Sequence, residues 1–157
     1  MYKRVLVVLD GSKLAEAALP HAREMARCYS AQLVLLRVAQ PLPVSAEASY
    51  DLIARVDDQT LELVQGYLAG VAKELQETGI AAEIAVRRGV AHAEIVDYAD
   101  QNEVDLIVMT TRGRSGFTRW LMGSVADRVV RGASVPVLLV RVPKHNQNAA
   151  TPGKREQ

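Results

Sequence analysis

The sequence predicts an α/β fold with an open five-stranded parallel sheet, helices on both faces and a single domain. Three observations carry this. Short apolar runs alternate with helically periodic segments from the first residues to about residue 142. Four of the runs are apolar at nearly every position, which marks strands covered on both sides. The chain has 157 residues, 49% of them apolar, enough to bury one core. Only 4% are aromatic, so that core must be built from Val, Leu, Ile and Ala.

The first strand is Arg4–Leu9, RVLVVL, followed by Asp10-Gly11-Ser12. Ser12 suits an N-cap. From Leu14 through Ala17, Ala18, His21, Ala22, Met25 and Ala26, apolar positions recur at helical spacing, which predicts a first helix with His21 on its buried face. Pro20 lies inside that helix and should kink it or cost about 3 kcal/mol. Gln32–Val38, QLVLLRV, is the second strand. Ala39 to Tyr50 carries two prolines and no periodicity and reads as a loop over the sheet's carboxyl edge. A long helix is expected over Asp51 to Gln76, striped by Leu61, Val64, Leu68, Val71 and Leu75 and stopped by Gly79.

The third strand, Ala82–Val86, alternates more than the others and belongs nearer an edge. A helix over His92 to Gln101 leads to the fourth strand, Asp105–Met109, DLIVM. The last helix starts at Ser124 and ends near Gly132, before the fifth strand, Val135–Val140. The domain is expected to span residues 1–142. Residues 143–157, PKHNQNAATPGKREQ, hold no large apolar side chain and read as a disordered tail. In an open parallel sheet, ligands bind outside the carboxyl ends of the strands where strand order reverses. Here that place is the end of the first and fourth strands.

Composition excludes several classes. With 19 basic and 18 acidic residues, well mixed, the chain lacks the basic excess of a nucleic-acid binder. Cys28 is its only cysteine, so no internal disulfide forms and a reducing cytoplasm suits it. The N-terminal apolar run is too short for a signal peptide or a membrane span. A cytoplasmic protein without a membrane partner is expected. No His-x-x-x-His pair and no nucleophile–base–acid set is present.

The segment after the fourth strand, TTRGRSGFTRWLMGS, invites a chemical reading. A helix starting at Ser124 presents unpaired amides and the positive end of its dipole, and Gly123 leaves the approach clear. That arrangement suits a phosphate. Gly113 and Gly116 let the loop fold back, and Arg112, Arg114 and Arg119 either bring charge to a polyphosphate or stand solvated. Equally, Ser124 to Asp127, SVAD, reads as an acidic capping box that needs no ligand. The dinucleotide and P-loop glycine signatures are both absent.

DGS after the first strand, LLRV in the second, G-x9-GS after the fourth and the closing PVLLVR together resemble the universal stress protein family, over about residues 1–142. The resemblance implies a Rossmann-like fold of the adenine-nucleotide α-hydrolase type. It also implies a stress-response regulator that binds ATP, or another adenine nucleotide, with Mg²⁺. Family members that bind nucleotide carry G-x2-G-x9-G-[ST]. Carried over by position, that motif falls on Thr110, Gly113, Gly123 and Ser124, so Thr110 departs from it. By the same resemblance Leu9 and Asp10 end the first strand at the ligand, with Asp10 near the ribose or a bound Mg²⁺. Backbone groups of Val38 read the adenine edge, Met109 packs on its ring, and Val125 and Ala126 offer amides to phosphates. Hydrolysis is expected to be slow at most. The alternative is a nucleotide-free homodimeric scaffold, paired through Val135–Val140, whose glycine loop is only architectural. In either case a further protein partner is expected.

Overall fold

A computed structural model of the chain describes residues 1–40, 50–111 and 122–142. The order is β1 (Arg4–Val8), α1 (Lys13–Glu16), α2 (Leu19–Tyr29), β2 (Gln32–Ala39), α3 (Tyr50–Glu77), β3 (Ala82–Arg88), α4 (Ala91–Gln101), β4 (Leu106–Thr110), α5 (Ser124–Gly132) and β5 (Val137–Val140). The strands form one sheet in the order β3-β2-β1-β4-β5, and every pairing is parallel. From β1 the chain steps outward to β2 and β3, then crosses back to β4 and β5. Strand order therefore reverses between β1 and β4, the point of an open parallel sheet beyond whose carboxyl ends ligands bind.

Strand alternation sends successive side chains to opposite faces, and the core divides accordingly. Val5, Val7, Leu33, Leu35, Leu106 and Val108 pack with Ala18, Ala22, Leu68 and Leu75 of α2 and α3. Leu6, Val34, Leu36, Ile107 and Met109 pack with Ile95, Ala99, Ala126 and Val129 of α4 and α5. Each fully buried Leu or Val contributes about 1.5–3 kcal/mol through water exclusion. Both faces are covered, as the continuous apolar runs required.

Three expectations change. The first helix is two: α1 ends at Glu16, and α2 restarts with Ala18 as N-cap. Pro20 falls in the first turn of α2, where a missing amide breaks no helix bond. The restart also moves His21 off the core. The buried residues are Ala18, Ala22 and Ala26, at four-residue spacing, and His21 is exposed. The last strand begins at Val137 rather than Val135. Pro136 cannot donate to a ladder, although its carbonyl accepts from Ile107 N at 3.0 Å. Elsewhere Gly79, at φ +81, turns the chain out of α3, and Ile80 N bonds back to Leu75 O at 3.1 Å. The expected tail, 143–157, lies outside the described residues, as does most of the loop after β2, 41–49.

Candidate functional site at the β1 and β4 tips

The β1 tip is a turn built on Asp10. Its Oδ1 accepts from Ser12 N at 2.8 Å and from Ser12 Oγ at 2.6 Å, and Ser12 Oγ in turn accepts from Ala15 N at 3.2 Å. Ser12 is thus the N-cap of α1 as expected, and Asp10 is partly committed to the turn. Gly11, at φ +83, makes the left-handed step between them. Leu9 is buried, and its amide bonds to Leu36 O at 2.9 Å.

At the β4 tip, Thr111 N bonds to Val140 O at 3.0 Å, and Gly123 N bonds to Thr111 O at 2.7 Å. The second bond draws the start of α5 onto the end of β4. Gly123 is the N-cap, with φ −59 and no side-chain cap. That backbone is open to any residue, so glycine's advantage here is the missing Cβ. Asp127 N donates to Gly123 O at 2.9 Å, and the amides of Ser124, Val125 and Ala126 precede it in the first turn. The capping box does not form. The Asp127 carboxylate reaches forward to Arg131 Nε at 3.1 Å instead, and Ser124 is exposed.

Val38, Met109, Val125 and Ala126 come together on the α4–α5 face of the sheet, joined by Met122. They form an apolar wall beside the α5 N-terminus. Thr110 is 6% exposed and pairs with Val140. By alternation its side chain lies on the opposite sheet face from Met109. Gly113 and Arg114 lie outside the described residues, as do Arg112, Gly116, Arg119 and Trp120.

A polar cluster behind the Asp10 turn was not anticipated. Arg37 of β2 stands 5.3 Å from the Tyr67 ring centroid, and Tyr67 Oη donates to Glu16 Oε1 at 3.2 Å. The signal was present in LLRV: a lone cation inside a buried run. Among the described residues no group of three His, Cys, Asp or Glu gathers to hold a metal. Of the two strand tips, the β1 tip supplies the carboxylate, Asp10. A single carboxylate fits Mg²⁺, which takes one or two and completes its shell with phosphate oxygens and water.

The family model for the universal stress protein family matches residues 1–141. The chain belongs to the universal stress protein family. A universal stress protein of Methanocaldococcus jannaschii, MJ0531, is 36% identical over 147 residues, covering 92% of this chain and 85% of its own. The solved structure of MJ0577, from the same organism, superposes with a TM-score of 0.81 at 27% identity, covering 92% of this chain and 99% of its own. A universal stress protein solved in complex with cAMP superposes at 0.67 with 25% identity, covering 88% and 97%. Among the described residues of this family member, no helix is long and apolar enough to cross a membrane.

Proposed function

We propose that this universal stress protein binds an adenine nucleotide, ATP with Mg²⁺, across the tips of β1 and β4, and presents its bound state to a protein partner. One observation carries the reading: the apolar wall of Val38, Met109, Val125 and Ala126 meets the glycine-capped start of α5 at the strand-order reversal. Adenine fits the wall. Phosphates fit the first-turn amides and positive dipole end of the helix. The relative solved with cAMP supports an adenine ligand. Thr110 is tolerated in this reading because its side chain faces away from the Met109 wall. Turnover is slow at most, since the sequence offers no nucleophile–base–acid set, and the protein's role is that of a cytoplasmic regulator.

Calorimetric titration of the stripped protein with MgATP tests this. Saturable binding at one site per chain is expected, with ADP, AMP and cAMP then ranked against it. Gly123→Val should lower affinity at least about tenfold, roughly 1.4 kcal/mol. No binding up to millimolar nucleotide, or full affinity retained by Gly123→Val, sinks the assignment.

A second reading rests on the edge strand. Val137, Leu138 and Leu139 are only half-buried, and β5 is the last strand of the sheet. An apolar edge of this kind invites a second copy, which makes a homodimeric scaffold the competing function.

A further inference from the structure

The cluster behind the Asp10 turn lies on the sheet face opposite the Met109 wall, yet it is built around that turn. Arg37 follows Leu35 and Leu36, both 0% exposed, and alternation points it to the α1–α3 face while Val38 points to the Met109 wall. There its guanidinium lies against the Tyr67 ring and the Gly11 backbone, among other contacts. The ring centroid is 5.3 Å away. A Cβ at Gly11 would stand 2.8 Å from Arg37 Cζ and 2.8 Å from Nη1. Tyr67 is itself anchored, since Glu16 Oε1 accepts its hydroxyl at 3.2 Å and Glu16 Oε2 pairs with Lys13 Nζ at 2.7 Å. Burial, with the Glu16 carboxylate adding to it, pushes the Tyr67 phenol well above its ordinary value, so it remains a neutral donor.

We propose that Arg37 is a positioning residue: held by Tyr67, its guanidinium backs the Asp10–Gly11–Ser12 turn and fixes the aim of the Asp10 carboxylate toward the metal–nucleotide. Helix α3 thereby acts on the geometry of the Asp10 turn through Tyr67. The inference rests on the reading above for its ligand, but the turn can be observed without one.

Two measurements on Arg37→Gln decide it. In the ligand-free protein, amide exchange at Ser12 should rise about tenfold, the scale of a partly desolvated cation–π contact, while Ile107 in the core stays protected. With nucleotide, the gain in affinity that Mg²⁺ gives ATP should fall about tenfold, while affinity for ATP in excess chelator holds. Tyr67→Ala should reproduce both effects. Unchanged exchange at Ser12, a rise shared by Ile107, or equal losses with and without Mg²⁺ overturns the proposal. A wild-type protein that binds no nucleotide refutes the functional reading alone, and Ser12 exchange still decides the role of Arg37.

Discussion

Asp105 shows how one side chain ties two strands together. Just before β4, its Oδ2 accepts from Lys3 N at 2.7 Å and Arg4 N at 2.9 Å, while its own amide bonds to Arg4 O at 2.9 Å. Those two amides hold the Asp105 carboxyl below its ordinary value of 3.8. A carboxyl depressed in the folded state binds fewer protons there than in the unfolded chain. Its stabilisation is therefore complete above the ordinary value and lost as pH falls through the folded one. Urea denaturation of Asp105→Asn should show lower stability than wild type at neutral pH, with the gap closing in acid. A gap that stays constant down to acid pH would rule this account out. Asp10 makes the same kind of contact at the other end of the sheet, but with Ser12 of its own turn. That contact is local, which is why the motif DGS announced it. Arg37 and Tyr67 meet from separate elements, and nothing in their sequence spacing announces that.

The long helix α3 is an element whose periodicity was legible and whose weak points are equally plain. Its stripe of Val64, Leu68, Val71 and Leu75 is buried against the sheet. Gly66 and Gly70 sit on its exposed side, and a Cβ added at either meets nothing within 4 Å. Glycine inside a helix costs roughly 0.8–1 kcal/mol relative to alanine. Gly66→Ala and Gly70→Ala should each raise the free energy of unfolding by about that amount. Loss of stability in either would mean that surface is covered by something. The α1–α2 break was harder to read. Alanines at 15, 17, 18, 22 and 26 satisfy one continuous helix as well as two. What selects the break is packing on the sheet, which buries Ala15 from α1 and Ala18, Ala22 and Ala26 from α2.

At the scale of the molecule, the sheet has two unlike edges. β3 carries Glu83, Arg87 and Arg88, with Arg88 paired to Asp57 and Glu83 to Arg4, and charge guards such an edge against pairing. β5 carries only Val and Leu. A second copy added there by a two-fold axis pairs β5 with itself, antiparallel. Light scattering at micromolar concentration should give the mass of two chains of 17.1 kDa. A monomer at that concentration would count against the scaffold reading and leave nucleotide binding untouched.

The sequence by itself determined the strand count, the parallel class, both covered faces and the reversal of strand order at β1 and β4. Each depends on local patterns: apolar runs where a strand has two buried sides, and turn residues where it ends. DGS and G-x9-GS marked the two tips for the same reason, since caps and turns are made by near neighbours. Only tertiary structure decided which face each tip residue serves. Met109 joined Val38 and Ala126 from three separate elements, Arg37 met Tyr67 across β2 and α3, and His21 left the core. These outcomes depend on how elements distant in the chain pack against one another, and a pattern along the chain does not encode that register.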